Sequence, residues 1–573
     1  MYTKVSAADD LNDATDTAET KDAAPASDEK ENAVAATTAE GGSNEGPAQD
    51  LEPSEGDPLS ATANHNLPGA GINKFALAEF LASGGVEFTG SDREYGFVRG
   101  QQLSKEQPYF EVTIVVDRED GIGIGLCGNK VMSGAMPGWP AYPSIGYHSD
   151  DGGLFQGRNY GMPFGPPCHA GDRMGCGVLF SAGGVAETVV FTKNRELIGW
   201  VPLPASGMLF PVVASAAPAV ANLDLKAELP SFPPACWVKT GTAEAIAFSN
   251  LALAVASAKD GDIVTANGGV HAFNKGLAVT RSITICGVEG KELAAEPELR
   301  GGEDFVIDSK GIKVRLKGLS IKSFGGDKSA GWEELGGAGG VCARQGSITI
   351  ESCKISSQNG TGVVSTLLCQ LHASHTNVGP CGRHGIVVFA PGGGSVETSR
   401  NNPGVQLLDG VTVRDCEEVG VAVNQSKGSL TITGCSVEAC KDGLVVHPAK
   451  VTLQSSSFVG CRRNAIKAFR AAGHMAGLAC EVQCTECTIK DCPVGLRAEG
   501  VGGIGAGKEV KIGWDDYRKI QGCITSFACE EGGAIDDLSV GTFAAVEFSD
   551  STEMTFTGLE DKRWNQYGFV RGQ

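Results

Sequence analysis

The chain has 573 residues, of which 80 are glycine, while aromatic residues make up only 6 %. Its length suits two or three domains, and abundant glycine with few aromatics favours turn-rich β architecture over helical bundles. The formal net charge of −21 argues against a general affinity for nucleic acid or anionic membranes. No apolar run approaches the ~20 residues that a membrane-spanning helix needs.

The N-terminal segment, residues 1–70, is predicted to be a disordered acidic tail. Its first 60 residues carry 15 acidic and 3 basic side chains, and large apolar side chains are almost absent. Such a composition cannot bury enough surface to offset the entropy of ordering. The start also lacks a basic region followed by an apolar core, so it does not resemble a secretory signal. The 19 cysteines are therefore interpreted as reduced thiols, in a cytoplasmic or nuclear protein.

A short helix is predicted over Asn73–Ser83, with Asn73 as its N-cap. From Val86 to Leu225 the pattern changes to short alternating or apolar runs, such as "YFEVTIVV", "GIGIGLC" and "LFPVVAS". Gly, Pro and Asp separate these runs. A period of two with such punctuation predicts a β-sandwich.

An internal repeat follows, from about Glu244 to Glu499. A glycine followed by alternating apolar residues recurs at spacings of 22 or 23 residues, with longer intervals of 30 and 35 that indicate loop insertions. The positions are Gly340, Gly362, Gly385, Gly420, Gly443, Ala465 and Gly495. A repeat of this length with three short strands and no helix predicts one rung of a parallel β-helix.

Cysteines recur in register across these rungs. They are Cys416, Cys435, Cys440, Cys461, Cys487 and Cys492. Because free cysteine behaves as a small apolar residue, this recurrence predicts a stacked ladder inside the β-helix rather than metal ligands.

The sandwich segment, residues 82–226, carries several motifs in a fixed order. They are "YFEVTI" from Tyr109, "PGW" from Pro137, "SIGYHSDDG" from Ser144, "GDRMGCGV" from Gly171 and "VVFTKNRELIG" from Val189. In these motifs the segment resembles a SPRY (B30.2/SPRY) domain of the Ran-binding scaffold type. Arg195 stands where that family often has glycine after "TKN".

The repeat region, residues 240–530, begins with "ALAVASAKDGDIVTANGG" from Ala252 and "LAVTRSITICG" from Leu277. These segments resemble the capping helix and first rung of the pectin-lyase-like right-handed parallel β-helix. Among such proteins the region is similar to the non-enzymatic β-helices of F-box ubiquitin-ligase subunits. The expected fold class is all-β: a SPRY sandwich, a right-handed parallel β-helix and a disordered N-terminal tail.

The SPRY resemblance implies a surface for protein or peptide ligands, formed by loops at one end of the sandwich. Those loops are predicted to contain six candidate binding residues: Trp139, Tyr142, His148, Asp150, Arg158 and Tyr160. Trp, Tyr and Arg are the residue types that most often dominate binding energy at interfaces. The chain is therefore interpreted as a non-enzymatic adaptor without a cofactor, with the β-helix as a second recognition surface. The F-box resemblance extends this to a substrate receptor in ubiquitin ligation.

Two chemical alternatives stay open in the sequence. A polysaccharide lyase or hydrolase would need acidic residues clustered on one face of the β-helix, and Asp409 and Asp415 are the local candidates.

A zinc site is the weaker interpretation of an insertion with Cys369, His372, His375 and Cys381, since this spacing fits no common zinc motif. The His148, Asp150 and Asp151 group has no accompanying nucleophile and is interpreted as a turn.

The heptapeptide "YGFVRGQ" occurs twice, at Tyr95–Gln101 and at Tyr567–Gln573. The first copy leads into the SPRY-like sandwich. Residues 540–573 are accordingly predicted to be the start of a second, truncated SPRY-like domain.

Overall fold

The computed structural model describes most of the chain between residues 73 and 543. The described residues are 73–75, 78–81, 85–89, 95–116, 121–129, 135–205, 207–288, 296–302, 304–311, 313–325, 338–366, 369–389, 406–424, 429–447, 449–469, 480–499, 510–516, 519–530, 533–537 and 541–543. The predicted acidic tail and nearly all of the predicted second SPRY-like segment lie outside these residues.

The described strands up to Asp224 form two antiparallel sheets that share one apolar core. They are β1 (Asn73–Phe75), β2 (Ala78–Phe80), β3 (Gly85–Phe88), β4 (Gly96–Arg99), β5 (Tyr109–Val116), β6 (Ile122–Cys127), β7 (Ser144–His148), β8 (Gly153–Phe155), β9 (Met162–Pro163), β10 (Arg173–Phe180), β11 (Ala186–Lys193), β12 (Glu196–Pro202), β13 (Phe210–Ser215) and β14 (Ala219–Asp224). The first sheet has the order β1-β4-β13-β6-β7-β8-β9, and the second has the order β2-β3-β14-β5-β10-β11-β12. The predicted β-sandwich is confirmed.

The predicted helix over Asn73–Ser83 is wrong. Residues 73–75 form β1, with Asn73 opposite Arg99 of β4, and residues 78–80 form β2, which pairs with β3. An isolated helix of about ten residues is marginal in water. Pairing with the free edges of two sheets stabilises the strands instead.

The hairpin between β11 and β12 keeps a tight two-residue turn although it lacks glycine. Asn194 and Arg195 have φ of 52° and 69°, in the left-handed region. Arg195 stays there with two contacts: its Nε lies 3.4 Å from Glu111 Oε1, and its Nη2 donates to the carbonyl oxygen of Glu228 at 2.9 Å. The family's glycine is therefore replaced without loss of the turn.

The rest of the described chain forms the β-helix, here called the rod. Its elements are β15 (Cys236–Lys239), β16 (Ile246–Phe248), α1 (Leu251–Ser257), β17 (Ile263–Ala266), β18 (Gly269–Phe273), β19 (Leu277–Val279), β20 (Thr284–Gly287), β21 (Pro297–Gly301), β22 (Ile307–Ser309), β23 (Lys313–Lys317), β24 (Ser320–Ser323), β25 (Gly339–Ala343), β26 (Gly346–Glu351), β27 (Lys354–Ser357), β28 (Thr361–Thr366), β29 (Cys369–Ser374), β30 (Asn377–Cys381), β31 (Ile386–Phe389), β32 (Gln406–Asp409), β33 (Thr412–Arg414), β34 (Val419–Asn424), β35 (Ser429–Thr433), β36 (Ser436–Glu438), β37 (Asp442–His447), β38 (Lys450–Gln454), β39 (Ser457–Val459), β40 (Asn464–Phe469), β41 (Cys480–Thr485), β42 (Thr488–Lys490), β43 (Val494–Glu499), β44 (Val510–Trp514), β45 (Ile520–Gln521), β46 (Thr525–Glu530), β47 (Gly533–Asp537) and β48 (Gly541–Phe543).

Each rung of the rod gives one strand to each of three sheets. The first rod sheet runs β16-β15-β17-β20 and on to β47-β48, and its pairs from β17 to β47 are parallel. The second rod sheet runs from β18 through β21 to β45, and the third runs from β19 through β22 to β46; both are parallel throughout. The predicted parallel β-helix is confirmed.

The repeat glycines mark the beginning of strands in the third rod sheet. A Cβ placed at Gly362 would lie 2.6 Å from Val378 Cγ1 and 2.7 Å from the carbonyl oxygen of Gly385. The strand thus begins in close contact with the second rod sheet and with the next rung. Glycine fits there because it has no side chain to clash.

The cysteine ladder lies in the core of the rod, as predicted. The predicted cysteines are at most 4 % exposed. Cys381 and Cys416 pair directly across neighbouring rungs, and the amide of Cys461 donates to Cys492 Sγ at 3.3 Å. Burial raises the pKa of the Cys435 thiol to about 11, so this thiol is protonated and acts as packing volume.

Helix α1 covers the start of the rod. The side chain of Asn250 accepts a hydrogen bond from the amide of Leu253 at 2.9 Å and so caps the helix. Leu251, Ala254 and Val255 are buried in the rod core. The capping helix expected from "ALAVASAKDGDIVTANGG" is present.

The sandwich and the rod share a sheet and a core. Strand β12 pairs in parallel with β18, with Gly199 opposite Val270 and Trp200 opposite His271. The Trp200 ring is 1 % exposed and stacks on the His271 ring at a centroid distance of 4.9 Å. Val190 and Trp200 belong to the core of the rod, although both lie on sandwich strands. The two domains therefore bury apolar surface against each other.

Polar contacts at the cap of α1 reinforce this junction. The Asn250 amide donates to Thr188 Oγ1 at 2.7 Å, and the Ser249 hydroxyl donates to Glu187 Oε2 at 2.7 Å. Both acceptors lie on β11 of the sandwich, so the cap of the rod helix is also a link between the domains.

Candidate functional site

Two loops of the sandwich are held together by the glycine of the "PGW" motif. The carbonyl oxygen of Gly138 accepts hydrogen bonds from the amides of Gly157 and Arg158, at 2.7 and 3.2 Å. Gly138 has φ of 87°, and a Cβ there would come within 3.0 Å of the carbonyl oxygen of Phe155. Only glycine permits this close approach, which places the loop around Trp139 beside the loop around Arg158.

These loops bring together three of the six predicted binding residues. Trp139 is half-buried and packs edge-on against Tyr95 at a centroid distance of 5.3 Å. Arg158 is half-buried, and its Cζ lies 5.6 Å from the centre of the Tyr160 ring. Tyr160 is 64 % exposed. We call this group, Trp139, Arg158 and Tyr160, the loop cluster.

The loop cluster combines features of an interface anchor. Exposed aromatic area next to a guanidinium supplies both apolar contact and charge for a partner. The Trp139 Nε1 donor is buried and has no acceptor among the residues that the structure describes. A buried donor without an acceptor is unfavourable, so this side of the Trp139 ring does not contribute to the stability of the loop.

Two predicted binding residues are buried and take no part in this surface. Tyr142 is 4 % exposed, and its hydroxyl donates to the carbonyl oxygen of Ala135 at 3.2 Å. His148 is 3 % exposed, stacks on Phe155 at 3.9 Å and lies 2.8 Å from the carbonyl oxygen of Pro137 through Nε2. Polar residues in a loop motif were expected to be exposed. Here the loops fold back over the sheet and bury them.

Burial also gives His148 a testable pH dependence. It lowers the pKa of His148 from an ordinary 6.5 to about 4, so the unfolded chain binds the proton first as the pH falls. The stability that this group contributes is complete above pH 6.5 and is lost between pH 6.5 and about 4. Replacing His148 with Gln should reduce the loss of unfolding free energy between pH 7 and pH 5 by about 2 kcal/mol.

Urea unfolding at the two pH values would measure this difference. The matched variant is His271→Gln, because burial lowers the pKa of His271 to about 4 as well. Each variant should remove a similar share of the pH dependence. If the pH dependence of the unfolding free energy is the same in both variants as in wild type, the two histidines are not buried in their neutral form.

The remaining predicted residue, Asp150, is exposed in the turn between β7 and β8. Its neighbour Asp151 accepts a hydrogen bond from the amide of Gly153 at 2.7 Å, which stabilises this turn. With His148 buried beneath the loops, the three residues do not assemble into a site for hydrolysis.

The rod adds two residues to the edge of the loop cluster that no sequence motif indicated. Arg300 Nη1 donates to the carbonyl oxygen of Pro163, at the end of the loop that carries Arg158. A Cβ at Gly302 would lie 2.7 Å from Arg158 Nη1, so the Arg158 side chain packs directly on the backbone of the rod. These contacts join distant parts of the sequence and became visible only in the folded chain.

The zinc candidates do not share a face of the rod. Cys369 and His372 alternate along β29, so Cys369 is buried in the core and His372 is exposed. Cys381 is also buried, and His375 is exposed in a left-handed turn with φ of 48°. The two thiols are thus buried in the rod while the two imidazoles are exposed, and strand alternation is the reason for Cys369 and His372.

The outward face of the third rod sheet shows how acidic side chains are arranged. Asp308 pairs with Arg344 at 2.7 Å, and Glu499 pairs with Lys467 at 2.8 Å. They lie seven strands apart in this sheet, or about 33 Å at the usual strand spacing. Between them, the residues in register with Asp308 on the next four strands are apolar: Cys342, Val364, Val387 and Ala422.

The sequence candidates Asp409 and Asp415 do not complete a catalytic pair either. Asp409 ends β32 in the first rod sheet, whereas Asp415 lies in a left-handed turn after β33 of the second rod sheet. In the described part of the chain, no group of three or more His, Cys, Asp or Glu side chains is placed to hold a metal ion. This arrangement gives no support to polysaccharide chemistry.

Comparison with known proteins agrees with these two architectures. A family model described as "SPRY domain" matches residues 107–226, and one described as "Right handed beta helix region" matches residues 308–476. The chain combines a SPRY domain with a right-handed β-helix. The SPRY domain carries the loop cluster, and the β-helix is the rod.

The similar curated proteins match the SPRY domain. SPRY domain-containing protein 3 of Homo sapiens is 38 % identical over 132 residues, which cover 22 % of this chain and 30 % of that protein. Ran-binding protein M homolog of Arabidopsis thaliana is 36 % identical over 136 residues, which cover 22 % of this chain and 28 % of that protein. The chain thus spans less than a third of the length of these relatives.

Two solved structures illustrate the similarity at different coverage of the chain. A crystal structure of a human SPRY domain has 32 % identity and a TM-score of 0.25, covering 28 % of this chain and all of the other. The catalytic domain of a GH87 alpha-1,3-glucanase in complex with nigerose has 8 % identity and a TM-score of 0.30, covering 80 % of this chain and 86 % of the other. Both TM-scores are too low to carry an argument about function.

Among the described residues, no helix has the length and apolarity that a bilayer crossing needs.

Proposed function

We propose that the chain is a non-enzymatic interaction scaffold whose SPRY domain binds a peptide segment or protein loop through the loop cluster. The observation that carries this proposal is the exposed Tyr160 ring, 64 % accessible, beside Arg158 and Trp139. Relatives named as Ran-binding proteins share this domain, which supports a role in protein association. The rod serves as a second recognition surface.

The site requires the rod as well as the SPRY domain. Arg300 and Gly302 hold the loop that carries Arg158, and the Trp200 side chain is buried in the core of the rod. An isolated fragment of residues 82–226 would expose Trp200 and lose these contacts. Binding experiments therefore need the full chain.

Affinity capture with the full chain tests the proposal. Wild type should recover a reproducible set of proteins from a native lysate, and Tyr160→Ala should weaken recovery about 30-fold, as for loss of ~2 kcal/mol at an interface anchor. Val185→Ala is the matched control, because Val185 is also 62 % exposed but lies outside the loop cluster. Equal recovery by the Tyr160 and Val185 variants, or turnover of a glycan by wild type, would overturn the proposal.

A narrower form of the proposal makes the scaffold a substrate receptor in ubiquitin ligation. It is supported by the resemblance of the rod to β-helices of F-box subunits. None of the cysteine side chains that the structure describes forms a disulfide, which suits a reducing compartment such as the cytoplasm or nucleus. Co-purification of a ubiquitin ligase with wild type, and ubiquitination of captured proteins that depends on Tyr160, would support this form.

A further inference from the structure

A buried arginine in the rod has an Nε atom without a hydrogen-bond partner in the described part of the chain. Arg383 lies in the turn between β30 and β31 and is only 7 % exposed. Its Nε atom is buried and has no hydrogen-bond partner among the residues that the structure describes. Several other arginines of the rod are paired with carboxylates, as Arg344 is with Asp308 and Arg463 with Asp442. Arg383 is therefore an exception that needs an explanation.

The turn holds Arg383 firmly in this position. Its amide donates to the carbonyl oxygen of Gly360 on the preceding rung at 3.1 Å, and its carbonyl oxygen accepts from the amide of Glu418 on the following rung at 3.0 Å. The backbone is thus bonded on both sides. The burial of the side chain follows from its place in the stacked rungs.

The next residue, His384, contributes a second donor. Its Nδ1 accepts from the amide of Val419 at 3.4 Å, so Nε2 carries the proton. Nε2 lies 3.2 Å from Glu418 Oε2 but is not aligned for a hydrogen bond. Burial lowers the pKa of His384 to about 4, and the charges of Arg383 and Lys441 act in the same direction. His384 is accordingly neutral near pH 7 and can donate but brings no charge.

An ionised guanidinium without a partner is costly to bury. The penalty for removing a charge from water is several kcal/mol, and buried charges in native proteins are almost always paired or ligand-bound. A planar group with two acceptor oxygens matches the fork of donors on arginine. An oxyanion is therefore the class of group that best completes the hydrogen bonding of this side chain.

The charges around the turn favour a carboxylate over a phosphate. Glu417 and Glu418 lie on the following rung, and a dianionic phosphate would be repelled by them more strongly than a monoanionic carboxylate. The small exposed fraction of Arg383 also admits a compact group more easily than a bulky one.

We propose that the turn Gly382–His384 binds a carboxylate through the guanidinium of Arg383, with His384 Nε2 as an additional donor. The carboxylate is supplied by a small organic acid or by an acidic side chain of a partner protein. This site is on the rod and does not depend on ligand binding by the loop cluster.

Thermal unfolding of the full chain in chloride buffer tests the proposal. Added acetate, or a glutamate-rich peptide, at matched ionic strength should raise the Tm of wild type. Arg383→Met should lose this response and should raise the Tm in the absence of carboxylate, because it removes an unpaired buried charge. A response to acetate would identify a free acid as a sufficient source, whereas a response to the peptide alone would identify a partner segment.

Two further variants make the result decisive. Arg383→Lys keeps the charge but loses the fork, so it should fold and need about tenfold more carboxylate for the same rise in Tm. Arg414→Met is the matched control, because its side chain is 57 % exposed and lies one rung away; it should leave the response unchanged.

Three results would overturn the proposal. They are the absence of any carboxylate response in wild type, a stronger response to inorganic phosphate than to carboxylate, and a lower Tm of Arg383→Met with the response intact. The last result would assign Arg383 a purely structural role.

Discussion

Replacing Trp200 with alanine is expected to lower the free energy of unfolding of the full chain by about 3–5 kcal/mol, the usual range for a large buried aromatic. Trp200 is 1 % exposed, packs in the core of the rod and stacks on His271. Its strand, β12, also carries the backbone pairing that joins the SPRY domain to β18. The substitution leaves a cavity between the domains. The lost free energy therefore comes from the packing of the SPRY domain against the rod.

Urea unfolding followed by circular dichroism and by tryptophan fluorescence would measure this effect. Wild type should show one transition with both probes, since the domains share a core, whereas Trp200→Ala should show separate transitions. Trp139→Ala is the matched control: Trp139 is half-buried in a loop, and its removal should cost less than half as much. Equal losses for the two variants would show that the junction does not stabilise the chain.

The sequence was sufficient for both architectures because their signals are local and repeated. Runs in which apolar residues alternate predicted the strands of the SPRY domain. Glycines separated by the length of one rung predicted the strands of the third rod sheet. The cysteine ladder followed from register alone, since identical positions in successive rungs stack. Asn194 and Arg195 show that even a departure from the family pattern could be placed in its turn.

The errors came from contacts between distant segments. Residues 73–75 and 78–80 form strands because free sheet edges lie beside them, which a helix-like composition cannot reveal. Tyr142 and His148 are buried because loops fold over them. The support of the loop cluster by Arg300 and Gly302 depends on the packing of the rod against the SPRY domain. The lack of a hydrogen-bond partner at Arg383 Nε could likewise be recognised only from the residues that surround it in the fold.

Replacing Gly385 with alanine is expected to destabilise the rod by about 3 kcal/mol, at the upper end of the range for overpacking. A Cβ at Gly385 would come within 3.0 Å of both Val413 Cγ1 and the carbonyl oxygen of Gly420. The valine could rotate, but the carbonyl belongs to the next rung and cannot move without disturbing the sheet. The added methyl group must therefore push two rungs apart.

The position of the damage distinguishes this mechanism from a general loss of stability. The amide of Val363 donates to the carbonyl oxygen of Gly385 at 2.8 Å, and the amide of Gly385 donates to Val419 at 2.9 Å. Hydrogen exchange at these two amides should accelerate more than exchange in the SPRY domain, because each rung contacts only its neighbours. Gly207→Ala is the control, since a Cβ at Gly207 meets no atom within 4 Å. If both alanine variants unfold at the same urea concentration, close packing between rungs is not what requires glycine at this position.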